Sequence, residues 1–351
     1  MTSTSSDEFA ERLVAATLGM VDVLAVYLGD RLGWYRALAD GGPATAAELT
    51  ARSGGAERYA REWLEQQAVT GILTAGGDGR FALPEGAAEV LTDENSLAYL
   101  APLARMFSAA AVQLPALTEA YRGGGGVGWA QYGVDMRESQ ADMNRPWFEL
   151  RLAPALADVS DVHAVLERPG ARIADIGCGS GWSSIALARA YPASSVDGYD
   201  LDLASVELAR QNADAAGLDV QVRFHHADAA VLEPQTYDAL FAFECIHDMS
   251  RPVEVLAAMR RARADDGTVV VMDEAVGDAF AAPGDDVEKL MYGFSLLICL
   301  PDGLSSQPSA ATGTLMRPDT LRQYATEAGF SDVVVLPIDD FGFWRFYQLR
   351  A

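Results

Sequence analysis

Asp175-Ile176-Gly177-Cys178-Gly179-Ser180-Gly181 closes a short apolar run and is followed by Trp182 and a helical pattern, the order of a strand, a glycine-only turn and a helix start. Gly177, Gly179 and Gly181 let the backbone approach a ligand where a Cβ would collide, and turns of this kind hold nucleotide-like cofactors. The carboxylate entering the turn selects among them. A pyrophosphate needs helix N–H groups and no facing acid, whereas a sulfonium, an ammonium and ribose hydroxyls all accept carboxylate neighbours. Asp175 therefore points to S-adenosylmethionine. Asp200 ends the next strand, just before Leu201, and can accept from both ribose hydroxyls. Asp228 follows the third strand, placed to accept from the adenine amino group with the backbone of Ala229 beside it.

The fourth strand runs into Phe243-Glu244-Cys245-Ile246-His247-Asp248-Met249 at the sheet edge where cofactor and acceptor meet. Methyl transfer from a sulfonium depends on alignment and exclusion of water, and a base is required only when the nucleophile holds a proton. His247 is the best base in the chain, because imidazole titrates near neutral pH. Asp248 is taken with it as the catalytic pair, and Glu244 is assigned to the cofactor side. The competing reading has His247 and Asp248 capping the helix at Arg251-Pro252. Tyr132, Trp147, Tyr292 and Phe294 are candidate walls of an acceptor pocket, set against the commoner role of such aromatics as core. Cys299 could offer a soft thiolate. Of His225-His226, one ring points inward and the other to solvent.

These residues need a scaffold, and the pattern around them supplies an α/β one. Strands are expected at Arg172–Ile176, Ser195–Tyr199, Gln221–His225, Tyr237–Phe243 and Thr268–Asp273, alternating with helices at Ser183–Tyr191, Ala204–Ala216 and Val253–Ala262. That alternation builds a parallel sheet with helices on both faces and ligands at the carboxyl ends of its strands. Asp332–Pro337 and Trp344–Leu349 follow a helix opened by Pro318 and closed by Gly329, and their spacing predicts one antiparallel strand. Ahead of this body, apolar residues from Phe9 to Leu28 recur at helical spacing. A capping box at Thr45 and Glu48, a helix at Glu57–Gln67 and a hairpin around Gly76–Gly79 then complete a winged helix. Gly123–Gly126 reads as a hinge. Three parts result: residues 1–122 as a helical winged-helix dimerisation or cap domain, 123–165 as hinge and helical linker, and 166–351 as the cofactor-binding body.

The chain holds 50 acidic and 26 basic residues among 351, a net charge of −24. Nucleic-acid and anionic membrane partners are therefore not expected, since their affinity rests on Lys and Arg. The third helix of the winged domain sets Arg58 and Arg61 against Glu57, Glu62 and Glu65, so it has no basic reading face. Met1–Asp7 reads as a loose tail rather than a secretory signal, and no uninterrupted apolar run approaches the roughly 20 residues that span a bilayer. Cys178, Cys245 and Cys299 form no disulfide framework, which fits a cytoplasmic protein.

Through Asp175-Ile176-Gly177-Cys178-Gly179-Ser180-Gly181, and over Ala171 to Leu349, the chain resembles the class I S-adenosylmethionine-dependent methyltransferases. Leu28-Gly29-Asp30-Arg31-Leu32-Gly33-Trp34-Tyr35-Arg36-Ala37-Leu38, Arg61-Glu62-Trp63-Leu64-Glu65-Gln66-Gln67 and Tyr99-Leu100-Ala101-Pro102-Leu103 are similar to the winged-helix cap of actinobacterial small-molecule methyltransferases. The resemblance implies a Rossmann-like body, a homodimer formed through the cap, and a small-molecule acceptor. His247-Asp248 is also similar to the His-Asp pair of bacterial α-keto-acid C-methyltransferases, where a metal stabilises an enolate. Those enzymes carry a further His where this chain reads Leu297-Ile298-Cys299-Leu300-Pro301. With the third ligand missing, no metal is expected, His247 and Asp248 being its only candidates. O- or N-methylation leads, metal-assisted C-methylation of an α-keto acid is the enzymatic alternative, and a cofactor-sensing DNA-binding regulator is the alternative of another class.

Overall fold

The computed structural model describes residues 5–351, so Met1 to Thr4 of the expected tail lie outside the described residues. Ser5 is no tail: its Oγ accepts from Glu8 N–H (3.2 Å) and its N–H donates to Glu8 Oε2 (2.7 Å), a capping box opening the helix Ser6–Arg31. The chain divides into two compact units, Met1–Ser108 and Ala109–Ala351.

In the first unit the helices Ser6–Arg31, Trp34–Gly41, Ala46–Ser53 and Glu57–Val69 precede a two-stranded hairpin, β1 (Thr74–Ala75) and β2 (Phe81–Ala82). Helices then hairpin is the winged-helix order expected. Gly29 explains the Leu-Gly-Asp motif: a Cβ there would sit 2.3 Å from Trp63, whose indole N–H donates to Ala25 O (2.9 Å). Around this contact Trp34, Tyr35, Leu38, Leu49 and Leu64 form the core. On the helix Glu57–Val69, the third of those expected from the sequence, Arg58 pairs with Glu62 and Arg61 with Glu57 (2.9 Å), leaving both cations neutralised within the helix. Helix Ser6–Arg31 contains an 18-residue window of mean hydropathy 1.6, so by length and composition it could cross a bilayer. Scattered polar residues such as Thr17 and Asp22 interrupt the apolar run without making the helix polar on average.

The second unit is built on a seven-stranded sheet of order β5-β4-β3-β6-β7-β9-β8. Its strands are β3 (Arg172–Ile176), β4 (Ser195–Asp200), β5 (Val222–His226), β6 (Tyr237–Phe243), β7 (Arg263–Glu274), β8 (Asp332–Val335) and β9 (Trp344–Arg350). β5, β4, β3, β6 and β7 pair in parallel, and β9 runs antiparallel to both β7 and β8, as the closing hairpin requires. One face buries Ile173, Val196, Phe224, Phe241 and Met272 with the helices Trp182–Ala190 and Leu203–Ala215. The other buries Ile176, Leu240 and Val271 with Pro252–Ala262 and Pro318–Glu327. Strand order reverses between β3 and β6, the point at whose carboxyl ends sheets of this kind bind ligands.

The glycine run is not uniformly loose. Gly124 and Gly125 have positive φ and open surroundings, but a Cβ on Gly126 would lie 1.9 Å from Pro301 O.

Gly181 has φ +81 and a Cβ there would meet Phe224 Cζ at 2.4 Å, whereas Gly179, at φ +51, faces open space. Gly179→Ala should cost about 1–2 kcal/mol, the penalty of a left-handed alanine. Gly181→Ala should cost about 1–3 kcal/mol more, from overpacking against Phe224. Denaturant titration of both full-length variants checks the order, and equal costs would show that Phe224 gives way.

Candidate active site at the carboxyl ends of the strands

The turn after β3 is held by its neighbour strand. Gly177 N–H and Cys178 N–H both donate to Tyr199 O (2.8 and 3.1 Å), and Gly179 N–H donates to Asp200 Oδ2 (2.8 Å). The three glycines serve different ends. A Cβ on Gly177 would meet Cys245 at 2.7 Å and one on Gly181 would meet Phe224, so these two are small to admit protein. Gly179 alone leaves open space, and only there does the expected ligand approach apply.

Asp175 is 1% exposed. Its Oδ2 accepts from Ser183 Oγ and Ser184 Oγ (both 2.6 Å), tying the carboxylate to the helix start, while Oδ1 is buried with no hydrogen-bond partner. Burial pushes its pKa up to about 6, against the two serines. Asp200 Oδ1 accepts from Asp202 N–H (2.8 Å), so each oxygen holds one backbone donor and keeps a lone pair for another. Burial raises its pKa too. Leu201 is 67% exposed. Asp228 Oδ1 caps the short 3₁₀ turn Ala229–Val231 through Ala230 N–H (2.8 Å), and Ala229 is buried beneath it. Asp200 and Asp228 thus end adjacent strands, as expected. The residues fit S-adenosylmethionine: the orphaned Asp175 Oδ1, the open cradle at Gly179 and the part-used Asp200 carboxylate would hold it.

Glu244 follows β6 with φ +50, a left-handed backbone that a non-glycine adopts at a cost. Its Oε1 accepts from the Trp344 indole, and its Oε2 from the side-chain amides of Asn144 and Gln140 (3.3 Å for the latter). Burial, reinforced by Glu274, pushes the carboxyl well above the usual range. The cofactor-side assignment is thus joined by a structural one, since three protein donors already occupy the group.

His247 is 3% exposed, with Nδ1 3.0 Å from Asp273 Oδ1 and 3.2 Å from Glu274 Oε2. Only the Asp273 contact is a hydrogen bond; Glu274 Oε2 is close but has no aligned donor. Burial alone would lower the imidazole pKa, but Asp273 and Glu274 outweigh it and raise the value well above its ordinary one. Burial likewise raises Asp248 and Glu274, and also the Cys299 thiol, which hydrogen-bonds to His247. Ligand-capable atoms of His247, Asp248 and Cys299 lie within 4.8 Å of one another, as do those of His247, Asp273 and Glu274, so either trio could enclose a metal ion. Cys299 reaches this point at the end of a π-helical turn, Ser295–Cys299, a distortion frequent at functional sites.

The aromatic candidates separate. Tyr132 is 5% exposed and donates to Leu297 O (2.7 Å), so it braces the segment carrying Cys299. Trp147 packs on Phe341 and Trp344, with ring centroids 5.6 and 5.5 Å away, in an aromatic cluster of the core. Tyr292 is 37% exposed and Phe294 is buried. His225 stacks on Tyr199 and reaches Asp197 at 2.7 Å with its side chain 39% exposed, and His226 is exposed, so neither ring is buried as the inward reading expects. Sequence reasoning missed Asp273 and Glu274. The signal was present: they end β7 as Asp200 ends β4.

A family profile described as a methyltransferase domain matches residues 173–267, and one described as an Rv2258c-like winged HTH domain matches residues 20–93. A ubiquinone biosynthesis O-methyltransferase of Roseobacter denitrificans is 32% identical over 92 residues, 26% of this chain and 36% of that protein. The chain thus aligns with about a third of the length of that curated relative. An O-methyltransferase family protein from Burkholderia thailandensis superposes with a TM-score of 0.72 at 19% identity, covering 99% of this chain and 98% of that one. Human N-acetylserotonin methyltransferase, solved with S-adenosylmethionine, superposes at 0.71 and 17% identity, covering 100% and 99%. Residues 173–267 thus match a methyltransferase domain and residues 20–93 a winged HTH domain, and the fold of the C-terminal unit is the Rossmann-like one shared with these methyltransferase structures.

Proposed function

We propose that the chain methylates an oxygen or nitrogen of a small molecule, with His247 as the base. One observation carries this reading: His247 Nδ1 is hydrogen-bonded to Asp273 with Glu274 Oε2 3.2 Å away, which fixes the ring one loop from the glycine turn so that its other edge, where Cys299 bonds, takes the acceptor's proton. When bound, S-adenosylmethionine supplies an electrophilic methyl group on sulfur. Asp175, Gly179, Asp200, Leu201, Asp228 and Ala229 are assigned to holding it, Gly177 and Gly181 to shaping the turn that carries Gly179, and Glu244 to the boundary between cofactor and acceptor. Asp273 fixes the ring orientation and stabilises the imidazolium that forms, as a carboxylate behind a catalytic histidine does. Asp248 and Cys299 flank the acceptor.

The assembly is read as a cytoplasmic homodimer formed through the N-terminal domain. Free Cys178, Cys245 and Cys299 support a reducing compartment. Phe9, Leu13 and Leu18, each about 60% exposed, support an apolar interface on helix Ser6–Arg31. Packing of the same helix on Trp63 supports a place in a folded domain rather than in a bilayer. The ion-paired arginines of the third helix weigh against DNA recognition.

Asp200→Ala should weaken S-adenosylhomocysteine binding at least tenfold by calorimetry, roughly 1.4 kcal/mol or more for a lost acceptor of two hydroxyls. Unchanged affinity would dismiss the cofactor site as drawn. His247→Gln should lower kcat by about 10²- to 10⁴-fold for an acceptor that carries a proton. The pH dependence has a definite sign. Because Asp273 and Glu274 raise the imidazole, His247 is protonated in the resting site and kcat/KM climbs as pH rises through its elevated pKa. Glu274→Gln removes one cause of the elevation, so the limb should move to lower pH; a pH-rate profile that stays in place would remove His247 from the role of base.

A further inference from the structure

The acids around His247 lack what other buried acids of this unit have. Glu288 is 6% exposed and takes Arg317 at 2.9 Å, and the half-buried Asp202 takes Arg137 at 2.7 Å. Asp273 and Glu274, 1% and 5% exposed, have only His247 as an ion-pair partner among the described residues, and no Lys or Arg there pairs with Asp248 or Glu244. One imidazolium cannot neutralise four carboxylates. Asp273 Oδ2 and Glu274 Oε2 are buried without a hydrogen-bond partner. An uncompensated buried charge costs several kcal/mol, and at Glu288 this chain meets that cost with arginine. Asp175 and Asp200 at the glycine turn show the same lack of a basic partner, and there a cationic cofactor is expected.

We infer that the acceptor is itself a cation, a small amine whose ammonium is held by Asp273 and Glu274 with Asp248 and Glu244 adding negative potential. The ammonium has no lone pair and serves as the anchor. The nucleophile is a neutral O–H or N–H elsewhere in the same molecule, and its proton goes to His247 Nε2. A carboxylate-bearing acceptor meets the same acids as repulsion. The inference rests on the reading of His247 as the acceptor-side base.

The test uses the full-length protein saturated with S-adenosylhomocysteine, so that no turnover occurs. Two aromatic skeletons are each presented with an ammonium, neutral and carboxylate tail: tyramine, 4-ethylphenol and 3-(4-hydroxyphenyl)propionate, and tryptamine, 3-ethylindole and indole-3-propionate. Calorimetry at neutral pH should rank ammonium tightest and carboxylate weakest on at least one skeleton, the ends differing tenfold or more. In Glu274→Gln the ammonium probe should lose about tenfold while the neutral probe keeps its Kd. Carboxylate binding equal to or tighter than ammonium, or absence of ammonium binding on both skeletons, overturns the inference. So does chelator-reversible binding of Mn²⁺ or Zn²⁺ accompanied by no ammonium preference, which makes the cluster a metal site. The initial heat of S-adenosylhomocysteine binding separates the two levels, since its absence removes the methyl-transfer reading and its presence with a flat probe ranking removes only this one.

Discussion

The hydrogen bond from Gly179 N–H to the Asp200 carboxylate, with the donations of Gly177 and Cys178 into Tyr199 O, locks the end of β3 to the end of β4. Three donors drawn from one turn to one neighbouring strand leave that turn a single path. The lock extends to the other side of the crevice. Gly177 is a glycine because Cys245 occupies the space its Cβ would take, and Cys245 Sγ in turn donates to Ile176 O (3.1 Å). The residue two places before His247 is therefore seated on the cofactor turn itself. The distance between donor site and base is set by packed contacts across β3 and β6, so neither loop can shift alone.

A second constraint fixes the direction in which the chain leaves β6. Glu244 holds a left-handed backbone that costs about 1–2 kcal/mol in an L-residue, and its carboxylate is gripped from β9 by Trp344 and from the helix Trp129–Trp147 by Asn144 and Gln140. The strained backbone swings Cys245 inward and brings His247 under Asp273 and Glu274. Trp147, on the same helix, packs edge-on against Trp344 and so stiffens the side chain that grips Glu244. An aromatic cluster far from the transferred proton thus acts on the site through one carboxylate.

What was legible in the sequence follows from how local each signal is. The parallel strands, the glycine turn and the order of strand-end acids are local or periodic, and all appear where they were expected. The Ser5–Glu8 capping box was also local and was passed over because the segment was read for targeting signals rather than for caps. Trp147 and Tyr132 could not be placed, since helical spacing does not distinguish an aromatic that faces the core from one that faces a ligand. The partners of Glu244 lie about a hundred residues away in either direction, and no short window relates them. Asp273 and Glu274 sit between these cases: their position at a strand end was readable, but their role appears only once β7 is known to lie beside β6.

The charge around His247 is best understood as a compromise in proton affinity. Each unit by which a base is raised is worth 1.36 kcal/mol of differential interaction between its protonation states. A phenol ordinarily titrates near 10, so an imidazole of ordinary affinity receives its proton uphill, and each unit of elevation by Asp273 and Glu274 removes part of that slope. The same elevation leaves the ring protonated and inert in the resting site. Acids that surround the ring without touching it add to the difficulty unless something positive offsets them when the acceptor arrives. An arriving cation lowers the imidazole's affinity at the moment a lone pair is required, and the proton that leaves then departs into a site the acceptor itself has neutralised. In the reaction proposed above, the surplus of carboxylates would be the means by which occupancy of the site switches on His247.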